Sequence, residues 1–343
     1  MPKKLQLINP DGQANFGLFP QGVKHINYLD FDLRNSMDKP CGMLAKKLKF
    51  NQFQFISITC EELVVGLAIV DLKIASNCFV YVYNLKTNQL NEYSFVNLFS
   101  KDTLIEPQPN SGNSYFKKGN NSVYINTTER PGERKVTVKI STTLSLDAII
   151  NESENYIPLS VCARAGYAGF HFTQKSAGLN CHGTLSLNNT RYDFSSINAL
   201  ACVDWSAGYM RRETFWNWAS LACKLPGGRN LGLNLSAGVI ETGFTENAIW
   251  LDGKLYKIDM VDFKFNRYGN KTDCAKWELH SNDGMINLIF EPVSHRFDKT
   301  NLLIVATNFT QKIGRYFGEI TLPNEVIILN GQWGLVEDHY SKW

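Results

Sequence analysis

Residues Asp204 to Trp250 read DWSAGYMRRETFWNWASLACKLPGGRNLGLNLSAGVIETGFTENAIW. Alternation, not helical spacing, organises this stretch. As a strand, Arg212 to Ser220 places Arg212, Thr214, Trp216, Trp218 and Ser220 on one face and Glu213, Phe215, Asn217 and Ala219 on the other. Gly227-Gly228 supplies a turn, and Leu231 to Ala237 sets Asn234 opposite Leu233 and Leu235. Tryptophan, arginine, glutamate, asparagine and aspartate lie among apolar residues here. Such groups are costly to bury without partners. The mixture therefore predicts a polar-tipped cavity or a buried network.

The pattern extends outward in both directions. After Gly183 further turn signals fall at Asn188-Asn189, Asp252-Gly253, Asp283-Gly284 and Asn330-Gly331, and the stretch after Ala207 supplies about eight strand-like segments, as many as a small ligand-holding barrel needs. Before it, Lys47 to Thr59, Leu63 to Leu72 and Cys78 to Leu85 read as strands. Ser122 to Thr127, Lys135 to Ile140 and Phe170 to Thr173 add shorter ones. Lys101 to Asn121 is rich in Pro, Gly and Asn and reads as a long loop, either a variable surface loop or a flap over a barrel mouth. LNNTRY at Leu187 to Tyr192 echoes LDGKLY at Leu251 to Tyr256. With the length, this echo predicts an all-β chain of two tandem antiparallel barrels, residues 1–207 and 208–343. Gly183 to Phe194 fits either barrel.

Composition bounds the function. The 343 residues carry a net charge of only +3 with no long basic run, which argues against nucleic acid as a partner. The apolar run Leu63 to Val70 is too short to span a bilayer, and MPKKLQLINPDGQ lacks the apolar core of a signal peptide. A cytoplasmic location is expected. The eight cysteines are scattered without C-x-x-C or zinc spacing, so they read as free thiols. No P-loop, dinucleotide fingerprint or G-x-S-x-G occurs, and no cofactor or metal is expected.

Several segments resemble an uncharacterised family, the domain of unknown function numbered twenty-eight-zero-four. They are LKFNQFQFISIT with VGLAIVDL, FTQK at Phe172 to Lys175, DWSAGYMRRETFWNW, GLNLSAGVIETGFTENAIWLDGK, and GQWGLVEDHYSKW at the C-terminus. More distantly the chain is similar to the carotenoid hydratase (hydroxyneurosporene synthase) family and its lipocalin-like relatives. The matching positions are Gly183-Thr184-Leu185, Ala201 to Asp204, Trp216-Asn217-Trp218, Gly227-Gly228 and Leu231-Gly232-Leu233. That resemblance implies two lipocalin-like barrels packed together. It also implies an aspartate between them that protonates an isoprenoid double bond, and Asp204 matches its motif. The tyrosine found two residues earlier in that family is Cys202 here.

Chemistry gives Asp204 two readings. An acid that protonates an alkene must stay neutral near pH 7, which an apolar, aromatic setting achieves. Trp205, Trp216 and Trp218 would supply that setting and stabilise a carbocation. Alternatively Asp204 caps a hairpin or pairs with Arg211 or Arg212. Those arginines form an ion-pair network with Glu213 or a fork for a ligand carboxylate or phosphate. Tyr209, Asn234, Asn247 and Trp250 complete the central set of candidate ligand-binding residues. Glu241 and Glu246 form a candidate carboxylate pair or anchor a turn. Glu337 and His339 share a strand face as an acid–base pair, a weak metal site or a barrel-closing network completed by Trp343. Three functions remain open. They are binding of a hydrophobic or amphipathic small molecule, a cofactor-free hydratase, isomerase or cyclase, and a structural or interaction protein.

Overall fold

The structure is a computed structural model that describes residues 6–23, 25–127, 132–240, 242–270, 274–302 and 305–343. It is all-β apart from a short helix, Met43–Lys49, and a 3-10 turn, Tyr28–Asp30. Among the described residues two antiparallel sheets form, one of 14 strands and one of nine, each curled into a barrel or half-barrel. The chain leaves the first sheet after Leu200–Gly208 and enters the second at Glu213–Lys224. Gly183 to Phe194 falls in the first sheet, where Leu185 pairs with Tyr192.

Side chains draw the ends of each sheet together. In the first, Asn97 Nδ2 donates to the carbonyls of Lys101 and Lys117, and Lys118 Nζ donates to the Val96 carbonyl. In the second, Asn247 accepts from the Ile258 amide and donates to the Asp259 carbonyl, joining the flanks of Ala248–Leu251 and Val261–Lys264. Linked ends leave fewer bare edges. The echo in the sequence corresponds to two matching hairpins. Asn188-Asn189 and Asp252-Gly253 all have positive φ, the backbone that two-residue hairpins need.

Several expected elements are corrected. Met43–Lys49 is helical and Leu48 is exposed, so the strand begins at Asn51 and not Lys47; helical spacing is ambiguous over so short a run. Lys101 to Asn121 is no free loop: Thr103–Leu104 and Asn113–Lys118 pair within the first sheet. Asn330-Gly331 makes no turn. It lies inside Glu325–Lys342, where Gly331 is the extra residue of a bulge opposite Tyr316 and Phe317. Phe170 to Thr173 is part of a 19-residue strand, Gly169–Leu187, that pairs with four others.

The strands between the barrels are buried on both faces. In Asn51–Thr59, Ile56 and Ile58 point into the first barrel's core, while Phe55 packs against Trp218 of the second. Across the first sheet, Lys175, Asp204, Phe55, Ala68 and Phe79 stand in one cross-strand row. A matching row crosses the second: Ser236, Trp218, Glu337, Gln311 and Arg296. The rows meet face to face. The Phe55 and Trp218 rings are 5.6 Å apart and the Arg296 guanidinium lies 4.1 Å over Phe79. At Gly178 the backbones themselves touch: a Cβ there would sit 2.9 Å from Gly232 N.

Candidate functional site

Lys175 is the centre of the seam. It lies in the part of its strand, Gly169 to Leu179, where every residue is buried, and is itself 4% exposed. Its Nζ lies 2.5 Å from Asp204 Oδ2 and 3.4 Å from Glu246 Oε2. Asp204 comes from the neighbouring strand, and Glu246 from the connection entering Ala248–Leu251 of the second sheet. The cluster therefore joins the barrels. Ser206 Oγ stands 3.2 Å from Asp204 Oδ1 and 2.9 Å from Thr173 Oγ1. Asp204 thus pairs with Lys175, and not with Arg211 or Arg212. The lysine is 29 residues upstream, beyond what local spacing reveals.

Two buried carboxylates share one ammonium. Burial raises the Asp204 carboxyl, with Lys175 pulling it down and Glu246 adding to the rise. Burial pushes Glu246 the same way, but Lys175, His171 and the Ser236 hydroxyl hold it below the usual range. Lys175 is raised: burial disfavours its charge, and the two carboxylates more than restore it. Holding one proton between the carboxylates leaves the triad neutral, which a buried site favours. His171, on the same strand face as Lys175, is pushed down to about 4 by burial and Lys175, against the pull of Glu246. It is neutral at pH 7, and its buried Nδ1 has no hydrogen-bond partner.

The aromatic predictions divide. Trp216 and Trp218 share one face, as expected, and that face is turned to the first barrel. Trp218 Nε1 donates to Asn234 Oδ1, 2.9 Å away, and Asn234 Nδ2 donates to the Glu246 carbonyl. Trp205 and Tyr209 do not join Asp204. Neighbours on a strand point to opposite faces, so Trp205 lies in the first barrel's core against Phe172. Tyr209 packs among Phe31, Phe50 and Phe170 there and donates to the Tyr28 carbonyl. Trp250 stacks on Tyr156 and donates to the Ile157 carbonyl. Asn247 is a backbone brace, accepting from the Ser236 amide. Glu241 lies outside the described residues.

Glu337 and His339 form a second seam cluster. Glu337 Oε1 is 3.2 Å from His339 Nδ1 and accepts from Trp216 Nε1, and Oε2 accepts from Gln311. His339 Nε2 is 2.8 Å from Ser341 Oγ. Trp343 donates to the Arg211 carbonyl, and Arg212 to the Trp343 carbonyl, closing the C-terminus onto the crossover. Among the described residues no group of three or more His, Cys, Asp or Glu is arranged to hold a metal ion. No described helix is long and apolar enough to cross a membrane.

A small cavity opens at the end of the seam beside His171. Arg164, Arg211, Met210, Thr214 and Val239 also line it, and its volume is about 10 Å³, enough for about one water. Lys175 and His171 were not among the predicted site residues. The available signal was Lys175 as the only Lys, Arg, Asp or Glu between Arg164 and Arg191, inside a strand-like run.

The family model of the domain of unknown function DUF2804 matches residues 1–343, and the chain belongs to that family. No curated protein matches it by sequence. Solved structures are similar in fold. CghA in complex with Sch210972 is 10% identical at a TM-score of 0.52, over 85% of this chain and 88% of that one. Kievitone hydratase from Nectria haematococca is 11% identical at a TM-score of 0.50, over 99% and 98%. At such identities the likeness is one of architecture, two tandem lipocalin-like barrels.

Proposed function

For this member of the DUF2804 family, we propose that the chain binds a hydrophobic or amphipathic small molecule at the seam of its barrels, with units 1–207 and 208–343 meeting across the site. One observation carries the reading: Lys175, Asp204 and Glu246 are buried together with one carboxylate in excess. A buried excess carboxyl retains a proton near neutrality, and a proton so held is available to a bound molecule. Asp204 is then the general acid of a cofactor-free hydration or isomerisation, with Trp218 close by as the aromatic wall. Fold-level likeness to a hydratase agrees with this reading by analogy.

Native mass spectrometry of the purified chain, loaded with a panel of isoprenoid alcohols and fatty acids, tests binding. A bound apolar molecule is expected, and protein that takes up none overturns the reading. For the acid, Asp204→Asn is expected to abolish turnover of a bound substrate while leaving uptake intact. Full turnover in that variant removes the role from Asp204.

A second reading has its own support. Phe55, Trp218, Phe79 and Arg296 fill the middle of the seam, which favours a purely structural network there. It predicts that no ligand changes the melting temperature.

A further inference from the structure

A helix on a globular protein normally hides its apolar side. Met43–Lys49 does the reverse, and none of its residues is buried. Its partly covered side is made by Ala45 and Lys46, whose ammonium donates to the Leu29 carbonyl. Met43, Leu44 and Leu48 lie on the outer side with Lys47 among them, and Leu44 is 71% exposed.

A second apolar group stands on the same rim of the first barrel. The strand Asn51–Thr59 begins just after the helix, and its Gln52 pairs with Asp71 at the end of Leu63–Asp71. In the turn that follows, Lys73 donates back to Gln52 Oε1 and pairs with Asp71. The next residue, Ile74, accepts at its carbonyl from the Phe99 amide, and the Ser100 hydroxyl donates to Asp71. Ile74, Leu98 and Phe99 are exposed there, Phe99 by 80%. Phe99 has a φ of +53°, a left-handed backbone that bulky residues rarely adopt. The turn thus holds an aromatic ring in solvent at a conformational cost.

The rim is also basic. Arg34 to Lys49 holds five basic residues against one acidic, a surplus larger than the +3 of the whole chain. Lys46, Lys47 and Lys49 fall in the helix itself, and Lys101 lies two residues after Phe99. Of the acidic groups on these segments, Asp71 is paired with Lys73, Asp38 accepts from the Tyr167 hydroxyl, and Asp102 is exposed.

We infer that this rim docks on an anionic lipid bilayer. Met43, Leu44, Leu48, Ile74, Leu98 and Phe99 enter the boundary between headgroups and acyl chains, and the lysines meet the acidic headgroups. Large apolar side chains gathered on one exposed surface mark an interaction site. A nucleic acid would use the lysines and leave the apolar residues in water. A second copy meeting this face by two-fold symmetry would set the surplus positive charge against itself. A bilayer with acidic headgroups satisfies both the charge and the apolar surface. The inference goes beyond the small-molecule reading and does not depend on it.

Flotation with vesicles tests the docking, using phosphatidylcholine alone and phosphatidylcholine with phosphatidylglycerol added. Binding to the anionic vesicles is expected to be at least about tenfold tighter, and to weaken as salt is raised. The double variant Leu44→Ser, Phe99→Ser is expected to weaken it at least about tenfold, because apolar area no longer leaves water. Phe297→Ser, a change at another exposed aromatic in Ile286–Leu302 of the second sheet, is expected to leave binding unchanged. Failure of the unmodified protein to prefer the anionic vesicles overturns the inference. Binding that the double variant leaves intact also overturns it, and assigns the lysines to polyanions in general. So does a dimer in sedimentation that the double variant dissociates while vesicles go unbound, which gives the face to a second copy. The lipid and salt dependence use unmodified protein, so the test survives a variant that fails to fold.

Discussion

Replacing Lys175 with methionine removes the only cation of the triad and nearly preserves its volume. At an effective dielectric constant of about 20, an ammonium at 2.5 Å and 3.4 Å from two carboxylates gains about 5–7 kcal/mol from each, before the cost of desolvating all three ions is charged against it. Breaking a buried pair by removing one partner typically costs about 3–5 kcal/mol, and that is the expected loss for Lys175→Met. The loss depends on pH. Without the lysine, both carboxyls titrate higher in the fold than in the unfolded chain. A carboxyl raised in this way favours the fold while it is protonated, and the benefit is lost as pH climbs through its folded pKa. The deficit is therefore smallest near about pH 5 and grows towards about pH 8, by about 1.4 kcal/mol per pH unit for each carboxyl protonated in the variant's fold and ionised in the parent's. Urea unfolding at both pH values measures it. The triple variant Lys175→Met, Asp204→Asn, Glu246→Gln, which leaves no unpaired charge, is expected to recover most of the stability. A loss below about 1 kcal/mol that is flat with pH would refute the claim that these three charges are buried together.

His171 supplies a separate acid-side prediction. Its folded pKa, about 4 against an ordinary 6.5, favours the neutral form, so its contribution is complete above about pH 6.5 and lost as pH falls to about 4, an effect of about 3 kcal/mol. His171→Gln is expected to flatten the stability profile across that window, and an unchanged slope counts against the burial of this ring. Gly178→Ala places a methyl in a left-handed residue against the Gly232 backbone and is expected to cost about 2–4 kcal/mol. Gly227→Ala, equally left-handed but facing open space, is expected to cost only about 1 kcal/mol in the same unfolding experiment.

The sequence alone determined the all-β class, the hairpins at Asn188-Asn189 and Asp252-Gly253, and the split of Trp216 and Trp218 from Asn217. These follow from strand alternation and turn chemistry, which act over a few residues. Asn234 opposite Leu233 and Leu235, and Glu337 beside His339, were legible for the same reason. Gly331 shows the limit of such local rules, since a glycine with positive φ makes either a turn or a bulge until the opposing strand is known. Only the tertiary structure decided which face of each strand meets which partner. Trp205 and Asp204 are neighbours in the chain, yet one fills a barrel core and the other the seam. Lys175 and Glu246 are 71 residues apart and share a site because two sheets press together there. Pairing across that distance is set by register and sheet packing, which no periodicity within one strand records.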